Sequence, residues 1–289
     1  MHARPDEAKA HFNLGVVYGQ QGHIGEAIWE FQAALQANTH YTEAHFNLGV
    51  IYGQQGHTDE AIREFQAVLR TNPDYAEAHF NLGMIYSEQG RTEEAIRSFQ
   101  AVLRTSPDNA EAHFNLGTIY SEQGRIEEAI RSFQAVLRIN PNHAEAHSNL
   151  GVIYSQQDRT EEAIREYQAA LRNNPDLAFV HANLGAIYAK QGRADEAIRE
   201  YQAALRNNPD LALAHNNLGV NYWKQGLTDE AIREYQAALR VNPTLAKAHF
   251  NLGVAYKQQG RLVEARREAL RALELGCYEP ARELVESLG

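Results

Sequence analysis

Glycines 15, 49, 83, 117, 151, 185, 219 and 253 each follow the previous one by 34 residues, with no insertion or deletion between them. A period of that length, held through eight copies, confines the chain to stacked supersecondary units, because one such unit cannot bury its own apolar face. Starting each repeat seven residues before its glycine gives 8–41, 42–75, 76–109, 110–143, 144–177, 178–211, 212–245 and 246–279, with an N-terminal arm at 1–7 and a tail at 280–289.

Within repeat three, Ala78, Leu82, Ile85, Tyr86 and Gln89 recur at a spacing of three to four, which predicts a helix (helix A) ended by Gly90. Thr92 is the expected N-cap of a second helix (helix B), with Glu93 and Glu94 favourably placed in its first turn against the helix dipole. Ala95, Ile96, Phe99, Val102 and Leu103 mark the buried stripe of helix B, and Pro107-Asp108 stops it. Glycine inside helix A costs roughly 1 kcal/mol against alanine, so its presence in every repeat predicts two helices too close for a side chain. After repeat eight, the segment from Pro280 to Leu288 reads as one more helix, with proline at its start, covering the last apolar face.

Composition narrows the function more than the fold. A content of 44% apolar and 22% charged residues suits a folded chain, and no apolar run approaches the ~18 residues of a membrane span. The net charge of -10 opposes nucleic acid, whose binding rests on neutralising phosphates. The single cysteine, Cys277, excludes an internal disulfide and fits a reducing, cytoplasmic setting. No cofactor loop, metal motif or catalytic constellation is present, so the chain reads as non-enzymatic. Histidines 11, 45, 79, 113, 147, 181, 215 and 249 sit beside core positions and read as packed imidazoles with one nitrogen bonded; as a metal ladder they would lie too far apart. Arginines 63, 97, 131, 165, 199 and 233, with 70, 104, 138, 172, 206 and 240, form a track on helix B that acidic neighbours such as Glu60 and Glu64 would largely neutralise.

The spacing Leu82-Gly83-x-x-Tyr86, then Ala95-x-x-x-Phe99, then Pro107, resembles the tetratricopeptide repeat, whose period is also 34. The sub-pattern AxAHxNLGxxYxxQGRxxEAIxxYQxAL is similar to the repeat array of the O-linked N-acetylglucosamine transferases, although no residues remain for a transferase domain. The resemblance implies an all-α, right-handed superhelical solenoid of eight helix-turn-helix repeats plus a C-terminal capping helix. Several positions depart from the pattern: the eight histidines stand where the family commonly has tryptophan, Thr39 replaces a proline, Asp158 replaces the inter-helix glycine, and Ala269 replaces the helix B aromatic.

One residue type has no local explanation. Asn13, Asn47, Asn81, Asn115, Asn149, Asn183, Asn217 and Asn251 are present in every repeat, although asparagine is a mediocre helix former. In helix A, Glu77, Asn81, Met84 and Glu88 form a second stripe about 100 degrees from the apolar one. The resemblance places this stripe on the inner wall of the superhelix, where asparagines meet the main chain of an extended peptide. A carboxamide suits that task because it can pair with both C=O and N-H of a peptide unit. The alternative role is a bond to a neighbouring helix that fixes the stacking. Repeats advancing by ~10 Å would give a wall for roughly 20 extended residues.

Other residues tune that wall. Phe12, Phe46, Phe80, Phe114 and Phe250 precede five of the asparagines and are expected to add apolar contact, and Trp223 is the expected aromatic anchor. Glu43, Glu77, Glu88, Glu111, Glu122 and Glu145 occupy repeats two to five, whereas Lys190, Lys224, Lys247 and Lys257 occupy repeats six to eight. The expected partner is therefore an extended or disordered segment of another protein, basic toward the glutamates and acidic toward the lysines. Two rivals remain: self-association through the first repeat, where Trp29 replaces an arginine, and phosphate or nucleic-acid binding by the helix B arginines.

Overall fold

The computed structural model describes residues 4–288, the side chain of Tyr278 excepted. Among those residues are seventeen α-helices and no strand. The A helices are α1 (Pro5–Gln20), α3 (Thr42–Gln54), α5 (Ala76–Glu88), α7 (Ala110–Glu122), α9 (Ala144–Gln156), α11 (Ala178–Lys190), α13 (Ala212–Lys224) and α15 (Ala246–Gln258). The B helices are α2 (Ile24–Ala37), α4 (Thr58–Thr71), α6 (Thr92–Thr105), α8 (Ile126–Ile139), α10 (Thr160–Asn173), α12 (Ala194–Asn207), α14 (Thr228–Val241) and α16 (Leu262–Glu274), followed by α17 (Tyr278–Glu286). The chain forms two compact halves, one ending at Pro141 and the other beginning at Asn142. Within each half the two helices of a repeat pack on each other, and helix B packs on helix A of the next repeat, as α4 does on α5 and α12 on α13.

The glycine ladder has a direct steric cause. A Cβ at Gly83 would lie 2.8 Å from the ring of Phe99, and one at Gly49 would lie 2.8 Å from Phe65, so helix A rests its backbone on the helix B aromatic of its own repeat. Repeat eight lacks that aromatic, and α17 compensates: Leu284 is buried, 3.2 Å from where a Cβ on Gly253 would stand. Burying that leucine contributes about 1.5–3 kcal/mol.

The turn between helices is also uniform. Gly90 takes φ 69, its N-H donates to the Ser87 carbonyl at 3.0 Å, and the Arg91 N-H donates to the Tyr86 carbonyl at 2.8 Å. This is the left-handed C-terminal motif that glycine permits. In repeat five Asp158 adopts it at φ 56, the sole positive-φ residue other than glycine among those described.

Three expectations need correction. Thr92 is not the N-cap of helix B: the turn uses Arg91 both to close helix A and to open helix B, so Thr92 becomes the first helical residue and donates its hydroxyl to the Gly90 carbonyl at 3.3 Å. Arg91 instead lays its guanidinium over the Tyr86 ring, 4.2 Å from the centroid, and grips Glu94, whose carboxyl is held below its usual range by that bond. The first helix begins at Pro5, so the arm expected at 1–7 is partly helical, and residues 1–3 lie outside the described part. The last helix begins at Tyr278, two residues ahead of Pro280; proline is tolerated in a first turn because its missing N-H would have no partner there.

Candidate functional site

In α5 the residues Ala78, Leu82, Gly83, Ile85 and Tyr86 are buried, Asn81 and Met84 are half-buried, and Glu77 and Glu88 are exposed. The second stripe of helix A is thus a real surface. A helices of successive repeats also touch, α3 with α5 in the first half, and α11 with α13 and α13 with α15 in the second, so their stripes join into a wall in each half.

The asparagines on these walls do two different things. Asn47, Asn81 and Asn115 each donate Nδ2-H to the carbonyl four residues earlier in their own helix, on Glu43, Glu77 and Glu111, at 2.7, 2.7 and 2.9 Å. In the second half the partners lie in a neighbouring repeat: Asn183 bonds the Tyr167 hydroxyl, Asn217 bonds that of Tyr201, and Asn251 donates to Asn216 Oδ1 at 2.9 Å. At Asn183 and Asn217 the difference follows from the helix B aromatic, which is Phe65, Phe99 and Phe133 in repeats two to four and Tyr167, Tyr201 and Tyr235 in repeats five to seven. The hydroxyls of Tyr167 and Tyr201 reach the next A helix, that of Tyr235 does not and Asn251 turns to Asn216, while Phe65 and Phe99 leave Asn81 and Asn115 to their own backbone. Burial pushes the hydroxyls of Tyr167 and Tyr201 up to about 12, a shift that the asparagine bonds partly offset. Asn13 and Asn183 are exposed, and Asn149 is half-buried on α9.

The other expected wall residues divide similarly. Phe46 turns inward, its ring centroid 5.8 Å from Phe65 and 5.2 Å from Tyr75, and Phe80 and Phe114 each stand 5.7 Å from the helix B ring of their own repeat. These rings are half-buried packing elements, more than the open contact surface expected of them. Trp223 is 40% exposed and donates Nε1-H to Gln258 Oε1 at 2.9 Å, tying α13 to α15. Glu77, Glu111 and Lys224 are exposed, and Lys190 reaches Asp158 Oδ1 at 3.1 Å with both side chains in solvent.

Sequence reasoning missed two polar ladders. The histidines have more than one nitrogen engaged: at His181, Nδ1 lies 2.6 Å from Glu200 Oε2 and Nε2 lies 3.0 Å from the Pro175 carbonyl. The same pair of contacts recurs at His45, His215 and His249. The available signal was a glutamate 19 residues after the histidine, at 30, 64, 166, 200, 234 and 268, replaced by Ser98 and Ser132 in repeats three and four. At His45, burial is the largest single influence and disfavours protonation, but the Glu64 bond, the Thr39 carbonyl and the charge of Glu64 outweigh it and raise the pKa. The second ladder joins repeats: Gln66, Gln100, Gln202 and Gln236 donate from helix B to the hydroxyls of Tyr86, Tyr120, Tyr222 and Tyr256. On helix B, Arg63 pairs with Glu60 and Arg233 with Glu230, while Glu64 serves His45 rather than the arginine track.

Among the described residues there is no cluster able to hold a metal ion, and no helix is long and apolar enough to cross a membrane. Models of the tetratricopeptide repeat match residues 8–41, 46–110, 86–148, 121–179, 166–199, 186–226, 228–260 and 246–277. Among solved structures, pilF of Pseudomonas aeruginosa is 19% identical with a TM-score of 0.65, covering 74% of this chain and 97% of that one. YrrB, described as a TPR protein with an unusual peptide-binding site, is 21% identical with a TM-score of 0.58, covering 65% of this chain and 97% of its own. MamA is 29% identical with a TM-score of 0.53, covering 60% of this chain and 94% of its own. A comparison with curated protein sequences finds no match.

Proposed function

Because the chain belongs to the tetratricopeptide repeat family, whose members generally mediate protein-protein interactions, we propose that it is a non-catalytic scaffold holding an extended segment of a partner protein along its A-helix walls. The observation that carries this reading is the in-register set Asn47, Asn81 and Asn115. Each donates one N-H to its own helix, which fixes the carboxamide's direction. A carboxamide has one acceptor oxygen and two N-H groups, so that single bond leaves capacity to pair with a passing peptide unit. Backbone pairing of this kind gives affinity without demanding one ligand sequence, and the peptide-binding site named for YrrB is consistent with such a use of the fold.

The test is a random peptide display screen against the wild type and an Asn47→Ala, Asn81→Ala, Asn115→Ala variant. These asparagines bond only exposed carbonyl positions of their own helices in the contacts above, and alanine is the better helix former, so the variant should melt no earlier than wild type. Enrichment by the wild type of peptides that the folded variant loses supports the reading. Equal enrichment by both contradicts it.

A second reading, self-association, has its own observation. Leu14 and Val17 are 41% and 44% exposed, whereas their equivalents Leu48 and Ile51 are buried under the preceding helix B, and Trp29 is 61% exposed. A monomer at every concentration in sedimentation equilibrium, with Val17→Glu behaving identically, removes it.

A further inference from the structure

The A-helix stripes of repeats two to five, the last headed by the exposed Glu145, and those of repeats six to eight carry opposite chemistry. In repeats two to four, Glu43, Glu77 and Glu111 head the stripe and are exposed, joined by Glu88 and Glu122 lower down. In repeats six and seven the heading position is Phe179, 69% exposed, and Leu213, 62% exposed, the most exposed phenylalanine and leucine among the described residues. Repeat eight has Lys247 there, and the lower positions hold Lys190, Lys224 and Lys257.

Phe179 and Leu213 occupy equivalent places on α11 and α13, whose A helices touch, and each stands four residues before its asparagine, Asn183 and Asn217. They are therefore on the wall, not on the flank. Trp223 adds a third large apolar side chain from the end of α13. Large side chains left in solvent on a shared face mark contact surfaces, and aromatic residues are favoured anchors there. The charged neighbours in repeats six to eight are the four lysines; the acidic group in contact with them is Asp158, bonded to Lys190 in an exposed pair. Asp195 and Asp229 are engaged by Gln225 and Gln259 at the helix B starts.

We propose that the second half recognises an acidic peptide segment bearing large apolar side chains, with Phe179, Leu213 and Trp223 as apolar anchors and Lys190, Lys224 and Lys247 as carboxylate partners. This rests on the A-helix wall being the peptide site. Adjacent repeats are ~10 Å apart, and a polyproline-II chain has three residues per turn with a rise of ~3.1 Å per residue, so apolar side chains at every third position share a face and match the two anchors. The carboxylates supply encounter rate and selectivity, and the glutamate-lined first half repels the same segment. In the second half Asn217 serves Asn216 as well as Tyr201, which leaves it less capacity for a peptide unit, so side-chain recognition takes a larger share than on the first wall.

The experiment uses the full chain and three fluorescent dodecapeptides in anisotropy titrations: leucine at every third position among Asp and Glu, the same peptide with Lys and Arg for the acids, and the acidic peptide with Ser for Leu. The acidic apolar peptide should bind at least tenfold tighter than its serine version. It should lose at least tenfold on Phe179→Glu with Leu213→Glu, and on Lys190→Glu with Lys224→Glu. The glutamates so introduced are those of repeats two to four, so the variants fold. Unchanged affinity in either variant overturns the proposal. If the basic peptide alone binds, and loses affinity on Asn47→Ala, Asn81→Ala, Asn115→Ala, the wall stands as a peptide site and this inference falls. If no peptide binds, both fall. Sedimentation with phosphatidylserine vesicles, lost in Phe179→Glu with Leu213→Glu while no peptide binds, overturns it in favour of a lipid surface.

Discussion

Replacing Glu200 by glutamine probes how the histidine clamp joins both helices of repeat six to the turn that closes repeat five. At His181 both ring nitrogens face acceptors, Glu200 Oε2 at 2.6 Å and the Pro175 carbonyl at 3.0 Å. Two acceptors require two N-H groups, so the clamp is complete only in the imidazolium form. The Glu200 bond is the main reason that the pKa of His181 stands above its ordinary value of 6.5; the Pro175 carbonyl and the charge of Glu200 help, while burial and Arg206 oppose. A pKa raised by folding contributes stability that is full below the unfolded value and is lost as pH rises through the folded one. A hydrogen bond to a charged group is worth about 1.5–3 kcal/mol, and with the two side chains 15% and 24% exposed the lower end applies. Glu200→Gln should therefore cost about 1.5 kcal/mol at pH 6 and less than ~0.5 kcal/mol at pH 9, where neutral imidazole bonds glutamine equally well. Urea unfolding of both proteins at both pH values reads this directly. An equal cost at pH 6 and 9, or a larger one at pH 9, refutes the imidazolium clamp.

Gly151→Ala places a Cβ 2.5 Å from Tyr167, while Gly185→Ala has 3.1 Å to Tyr201; the first should cost about 1–3 kcal/mol and the second close to nothing after the helix-propensity gain, as read by thermal melts. Asp158→Gly should raise stability by about 1 kcal/mol by relieving the left-handed backbone, a gain that the exposed Lys190 pair, worth a few tenths, cannot cancel; an unchanged melting temperature contradicts this. Tyr201→Phe removes one partner of the Asn217 carboxamide, whose Oδ1 keeps the Asn216 Nδ2-H at 3.3 Å, and should cost about 1 kcal/mol in urea unfolding. By the same logic Asn217→Ala destabilises while Asn81→Ala does not, and equal effects would erase the distinction between the two walls.

The period of 34 made helix count and pairing legible, because every copy must satisfy the same stacking. The interior glycines announced a close approach, but not that Phe99 or Tyr167 was the group approaching, since that partner lies in another helix. Thr92 misled because a cap rule assumes a free helix start, whereas Arg91 belongs to two helices at once. The histidine clamp was written as a glutamate 19 residues on, a pattern that means something only once helix A position and helix B position are known to meet. The asparagines were legible as a stripe and not as two roles, because the exchange of Phe65, Phe99 and Phe133 for Tyr167, Tyr201 and Tyr235 sits in the neighbouring repeat. Phe179 and Leu213 escaped the sequence reading, because a break in a row of glutamates has no meaning until the side chain is found exposed.

The central claim is that carboxamides on an A-helix wall read a ligand's main chain. The direct measurement is calorimetric titration of a display-selected peptide, and of analogues N-methylated at single backbone positions, into the wild type and into Asn47→Ala, Asn81→Ala, Asn115→Ala. The account predicts that methylation at positions facing the asparagines weakens binding to wild type severalfold or more, and that the variant binds all analogues weakly and alike. Affinities that ignore backbone methylation and the three substitutions would contradict it.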